Sequence, residues 1–478
     1  MLCLFLLLSV FSSYVVSEIP YVCNGTNTIS APANLSQAIT YPSNWNMSLP
    51  DLYYEANQDC RWNVTVPQGY YAYVVIRGSI YSPSTLRVIY ANNIVEDVPP
   101  SADGQPFFMI APSFSIHLNA VVNGSLGFVI SYAQIPAFNP VSYTLMPNAD
   151  PIILGTYNST VLKSITNVSL ITSDASFSDF TPFMRCFVLF DGQDMNATFM
   201  GNLYQVLNTN NQIVSSGKYL TVVNLLTVTL GNVIMVQDYS NVIDFDQYKF
   251  ASCISSPCSV GMNAVQGTAA VVSVGKWDRW LTDISISSTS NLKIFYGGIR
   301  DTNLVYSYDN SSRPYAFPQK LNNYITTFVL DTQTGLLQLS FASVLGGWTS
   351  SFDGRKGFIS SPSLNEISSN QSVVETFTGS DNYNYTTRII NHGLNGNATL
   401  QITTYDASNN AIFDHIYTKD NLPPTISDVH PGKSLSVIYQ ASGHNTTGVL
   451  IDFSIAKLDS SATNCILWLT FIVSLLFL

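Results

Sequence analysis

An all-β fold of tandem antiparallel β-sandwich modules is what this sequence predicts, with little helix apart from its two ends. Short runs alternate apolar and polar residues, the period of two that turns one strand face inward and the other outward. Clusters of Asn, Gly, Ser and Pro separate these runs, and those residues favour turns. A weak motif also returns about every 100 residues, the size of a sandwich rather than of a solenoid repeat.

The N-terminus comes first. Met1 to Val16 carries Leu2-Cys-Leu-Phe-Leu-Leu-Leu8, an apolar stretch of about ten residues before the small-residue region ending at Ser17. Residues 1–17 read as a secretory signal peptide, although no Lys or Arg precedes the apolar stretch. The chain then divides into modules at 21–137, 152–262, 263–347 and 353–457. Pro140, Pro147 and Pro151 mark the first linker, and the stretch from Gly346-Gly347 to Gly357 marks the last.

Leu86-Arg-Val-Ile-Tyr90 opens the recurring motif, echoed by Leu292-Lys-Ile-Phe-Tyr296 and Leu400-Gln-Ile-Thr-Thr-Tyr405. A turn-rich polar stretch follows each copy, and then a closing strand. The closers are Gly127 to Tyr132, Gly335 to Phe341 and Gly448 to Phe453. Val449, Ile451, Phe453 and Ile455 face one way there, as do Leu126, Phe128, Ile130 and Tyr132 earlier; antiparallel sheets with one wet face give this pattern. Leu337, Leu339 and Phe341 repeat it. A further copy is expected from Leu203 to Leu207, ahead of Leu225 to Leu230.

The C-terminus ends in an apolar run, Ile466 to Leu478, of about 13 residues where a membrane span needs about 20. Asp459-Ser460-Ser461-Ala462-Thr463-Asn464 precedes it. Small residues, a short polar spacer and an apolar tail form the signal for a glycosylphosphatidylinositol (GPI) anchor. The anchor signal is read at 459–478, with Ser460 as the lipid attachment residue.

Asn-X-Ser/Thr sequons occur at Asn24, Asn34, Asn46, Asn63, Asn123, Asn158, Asn167, Asn196, Asn310, Asn370, Asn384, Asn397 and Asn445. Their spread behind a signal peptide predicts a glycoprotein. Only 10% of residues are charged, against about a quarter in soluble domains, so glycans and hydroxyl or amide side chains have to keep the surface wet. The net charge of −11 and the lack of any Lys/Arg cluster exclude a nucleic-acid partner.

Cys3 and Cys465 fall in the processed ends. Cys23, Cys60, Cys186, Cys253 and Cys258 remain, an odd number in an oxidising compartment. Cys23 with Cys60 is the natural N-terminal pair. Cys253 and Cys258 are near each other, Cys186 competes for either, and one thiol is left over. Cys253-X4-Cys258 has no second Cys or His pair for zinc, so no metal and no cofactor is expected.

No catalytic arrangement is visible. His117, His392, His415, His430 and His444 are scattered, and neither a Gly-X-Ser-X-Gly elbow nor a phosphate-cradling glycine loop occurs. Asp244-Phe-Asp246 reads as a solvated edge, and Asp414-His415 as part of a surface strand with no nucleophile beside it. The protein is expected not to be an enzyme. Tyr53-Tyr54, Tyr70-Tyr71-Ala-Tyr73 and Trp277-Asp-Arg-Trp280 have the flat rings that stack on sugars, but alternation assigns them to core packing first.

Cys60-Arg-Trp-Asn-Val-Thr-Val-Pro-Gln-Gly69, led by Tyr41-Pro-Ser-Asn-Trp45, resembles the CUB pattern of Cys, any residue, Trp, then a strand into Pro-X-Gly. More narrowly, residues 21–137 are similar to the nematode CUB-like family of secreted and GPI-anchored proteins. Gly357-Phe-Ile-Ser-Ser-Pro362 in the last module resembles a CUB opening. The resemblance implies a jelly-roll sandwich and a role in innate immune defence at exposed epithelia. Many CUB domains bind calcium through an Asp that here would fall at Ala91 or Asn92; its loss makes the first module a poor calcium site. The last module keeps Tyr405-Asp406, where Asp406 suits a turn.

The expected function is non-enzymatic binding of microbial or extracellular ligands by a defence glycoprotein of the cell surface. The unknown partner is a protein or a carbohydrate, and a lipid anchor supplies the membrane contact. Location is the extracellular face of the plasma membrane, in membrane rafts, or secreted. The alternative is a structural glycocalyx spacer without a specific ligand.

Overall fold

A computed structural model describes residues 21–458, except 44, 156–158, 174–180, 228–232, 252–255, 276–278 and 343–344. The signal peptide, Asn158, Cys253, Trp277, Ser460 and the anchor signal therefore lie outside the described residues. The chain is 56% strand and 6% helix, which makes it all-β.

The first three modules share one topology. Counting strands in chain order within each module (and leaving out the short Tyr53–Tyr54), one sheet holds the first, third, eighth, fifth and sixth strands. The other holds the second, ninth, fourth and seventh. Each module opens with the same parallel pair: Gly25–Ile29 on Gln58–Thr65, Val141–Leu145 on Thr160–Ser164, and Phe245–Phe250 on Thr268–Val274. In each, the ninth strand returns antiparallel to the fourth: Gly124–Gln134 to Tyr70–Ser79, Val233–Asp238 to Val168–Ser173, and Gln333–Ser340 to Arg279–Ile286.

The fourth module is a variation. Its 21-residue strand Ser372–His392 begins against Asp428–Gln440 and ends against Val449–Lys457, with Tyr383 to Thr387 paired on both sides. One strand thus takes the places that the third and fourth strands fill elsewhere, and the sheet is continuous over six strands.

Alternation explains the cores. Cys60, Trp62 and Val64 point inward from Gln58–Thr65 while Arg61 stays exposed. Leu126, Phe128, Ile130 and Tyr132 are buried, as are Leu337 and Leu339, with Phe341 half-buried. Val449, Ile451, Phe453 and Ile455 complete the set.

Three expectations differ from the fold. Leu203–Thr209 is a short helix, not a strand copy: the Asn202 side chain accepts from the Gln205 N–H at 3.0 Å, and the Asn202 N–H donates to Gln205 Oε1 at 3.1 Å. That capping box satisfies two end donors and starts a helix whose Leu203 and Val206 are buried. The true counterpart of the Leu86 strand is Phe187–Asp191, fifth in its module. Phe245–Phe250 and Cys258–Ala264 pair within the third module's sheets, although the boundary drawn at 262 put the first in the second module and cut through the other. The proline-marked linker also holds a strand, Val141–Leu145, because Pro140 and Pro147 flank a run that alternates.

The modules are cored together. One apolar cluster contains Phe107 of the first and Leu203 of the second. Another joins Met235 of the second to Phe250 and Val272 of the third, and Phe358 and Leu450 of the fourth sit in the third module's core. Polar contacts fix each junction. Asp150 accepts from Gly298 N at 3.0 Å and Asn303 Nδ2 at 2.7 Å, and it pairs with Arg300. The Gln319 side chain behaves like a strand neighbour to Phe358, donating to its carbonyl at 2.8 Å and accepting from its N–H at 3.1 Å.

Candidate binding cleft between the first two modules

Pro182-Phe-Met-Arg-Cys-Phe187 delivers a single cation into apolar surroundings. Arg185 is fully buried. Its Nε donates to Glu96 Oε1 of the first module at 2.6 Å, and Nη1 donates to the Pro106 carbonyl at 3.2 Å. The guanidinium carbon lies 4.3 Å from the Phe107 ring centre and 3.6 Å from that of Tyr204. Glu96 also accepts from the Tyr90 hydroxyl at 2.7 Å. Burial, and then the Glu96 charge, push the Tyr90 phenol well above its ordinary range, so it stays a donor.

Beside this pin opens a cleft of about 870 Å³, walled by both modules. Ile110, Pro112, Ile135 and Phe138 come from the first module and its exit, and Phe190, Met195 and Phe199 from the second. Asn92, Gln134, Asp194 and Asn196 supply polar atoms, and none of the described residues that line it is a cation. Asn92 Nδ2 donates to the Phe199 carbonyl at 2.9 Å. The position where a CUB calcium carboxylate would fall is thus taken up by the module junction. An apolar, ring-bearing cleft with amides and one carboxylate suits a neutral polar ligand, and its size is within the roughly 300–1,000 Å³ of small-ligand sites.

Among the described residues, the other sequence-marked ones do not converge on a site. Cys23 and Cys60 form a disulfide that ties the first segment to a core strand. Cys258 is also disulfide-bonded. Cys186 is a free, buried thiol whose Sγ contacts Asn224 Oδ1 at 3.7 Å. Asn24, Asn34, Asn46, Asn123, Asn196, Asn310, Asn370, Asn397 and Asn445 are exposed, whereas Asn63, Asn167 and Asn384 are half-buried. Asn167 Nδ2 already donates to the Ser215 carbonyl at 2.9 Å, and Asn63 Oδ1 accepts from Ser115 Oγ at 2.7 Å.

Asp406 accepts from the N–H groups of Asn410 and Ser408, both at 2.8 Å, which closes a turn. Asp414 accepts from Gln401 and Thr403, on the strand face opposite His415. Tyr54, Tyr71 and Trp280 are core residues, while Tyr53 is exposed. Among the described residues, no group of three or more metal-ligating side chains gathers, and no helix is long and apolar enough to cross a membrane. The Arg185–Glu96 pin and the cleft escaped the sequence reading; the lone Arg in the apolar run from Pro182 to Phe190 was their one signal.

Residues 18–136 match the CUB-like domain family. Residues 145–225 and 240–342 match two domains of unknown function, DUF7592 and DUF7591. They fall within the second and third modules, whose strand order is that of the first. No curated protein matches in sequence.

Solved structures similar to the chain include the CUB1-EGF-CUB2 domain of human MASP-1/3, at 7% identity, covering 42% of this chain and 100% of that one, TM-score 0.19. The same region of rat MASP-1 gives 9% identity, 45% and 100% coverage, and TM-score 0.19. The extracellular region of zebrafish Gpr126/Adgrg6 gives 8% identity, 92% and 53% coverage, and TM-score 0.20. Overlaps this loose carry no weight for function.

Proposed function

We propose that this is a non-enzymatic glycoprotein of epithelial innate defence, held at the extracellular face of the plasma membrane by a GPI anchor in raft lipid. It binds microbial or other extracellular ligands through its CUB-like module and the loops of the modules behind it. The supporting observation is placement: the residues that match the CUB-like family come first among the described residues, and three interlocked modules separate them from the apolar run Ile466 to Leu478.

The test has two arms. Phosphatidylinositol-specific phospholipase C should release the native protein from cells, and retention on the membrane would remove the anchor. The purified ectodomain should bind bacteria or bacterial polysaccharide saturably. A second reading, a glycocalyx spacer, is favoured by the shared cores at all three junctions. Phospholipase release without saturable binding would select the spacer.

A further inference from the structure

We propose that a glycan on Asn196 folds back into the cleft between the first two modules, its first N-acetylglucosamine residues lying against Phe138 and Phe199. The proposal rests on the glycoprotein reading above and assigns one sequon a structural task. Asn196 is exposed, and it is itself one of the cleft-lining residues. It lies on the connection between Phe187–Asp191 and Thr198–Asn202, where its N–H donates to Asp194 Oδ1 at 2.8 Å. That bond fixes the turn and leaves the side-chain amide without a hydrogen bond among the described residues, unlike those of Asn63 and Asn167.

The cleft chemistry matches the same sugar. N-acetylglucosamine offers an apolar ring face and a methyl group for aromatic walls, and hydroxyl and amide groups for hydrogen bonding. Phe138 and Phe199 supply the walls; Asn92, Gln134 and Asp194 supply the partners. Among the described residues the lining has no cation, which a phosphate or sulfate ligand would call for. Glycosylation joins the Asn196 side-chain nitrogen to the anomeric carbon of the sugar. The bond from that carbon to a lipid pyrophosphate breaks, and one amide proton leaves with the pyrophosphate. The attached sugar then bridges two modules whose relative position the Arg185–Glu96 pair already holds.

The experiment uses the full chain from a secretory host. Peptide mass mapping reads occupancy at each sequon, and peptide N-glycosidase is applied to the folded protein. Asn196 should be occupied, and its glycan should be released roughly tenfold more slowly than that at Asn310, because release waits on local opening. Thr198→Ala removes the sequon without touching Asn196. It should speed amide exchange around 135–138 and 195–199 but not in the third module, and Thr198→Ser should restore protection. A bare Asn196 beside occupied sequons elsewhere overturns the proposal and leaves the glycoprotein reading standing. Bare asparagines throughout overturn both. An occupied Asn196 released as fast as Asn310, with unchanged exchange in Thr198→Ala, overturns the cleft placement alone.

Discussion

Arg185 of the second module donates from Nε to Oε1 of Glu96 in the first at 2.6 Å, with both side chains out of solvent. The pair links the sheet edge at Val95–Asp97 to the segment that enters Phe187–Asp191. Removing one partner would strand a buried charge, which costs far more than the pair contributes over an apolar substitute.

Arg185→Ala or Glu96→Ala should therefore each lower stability by about 3–5 kcal/mol, read by thermal or urea unfolding. The double change Arg185→Met with Glu96→Leu should recover most of that loss. Equal losses in the single and double variants would show that the charges are not coupled.

Asp238 is buried and accepts from the hydroxyls of Ser164, Thr166 and Ser240, each at 2.6 Å. Burial alone would raise its pKa; the hydrogen bonds from Ser164, Ser240 and Thr166 outweigh it and hold the group well below the usual carboxylate range. As pH falls, the unfolded chain takes up this proton first, near pH 4. The contribution is complete above about pH 4 and is lost through the acid range below it. Asp238→Asn should be less stable at pH 7 and should flatten the acid limb of the stability curve. An unchanged acid limb would contradict the assignment.

His430 is buried against Phe413, with ring centres 3.9 Å apart. Burial lowers its pKa, Asp428 opposes that shift, and His415 adds to it. The unfolded chain protonates first as pH falls, so stability is full above about 6.5 and declines below that value. His430→Phe should remove this decline between about pH 6.5 and 5. A stability profile as steep as that of the unaltered protein would sink the idea.

Burial pushes the Cys186 thiol up to about 12. The thiolate is the reactive form, so Cys186 should resist a thiol reagent in the native protein and react once denaturant is added. Rapid labelling of Cys186 in native buffer would place it at an accessible surface instead.

Much of the fold was legible because burial follows the period of two. The closing strands read correctly from residues such as Val449 and Ile451, which stand inward while Asp452 faces out. The helix at Leu203 misled because its apolar spacing fits a strand as well as a helix over so few residues; the deciding signal was the Asn202 and Gln205 capping pair. The cleft was illegible for a different reason. Asn92 and Phe199 are 107 positions apart, and nothing local in either segment announces the other.

The shared apolar clusters at the three junctions have a mechanical consequence. A pull applied between the CUB-like end and Lys457 would meet these shared clusters at each junction. Swinging one module away from the next would expose apolar side chains such as Phe107, Leu203, Phe250 and Leu450 to water, so bending at a junction is opposed by the hydrophobic effect.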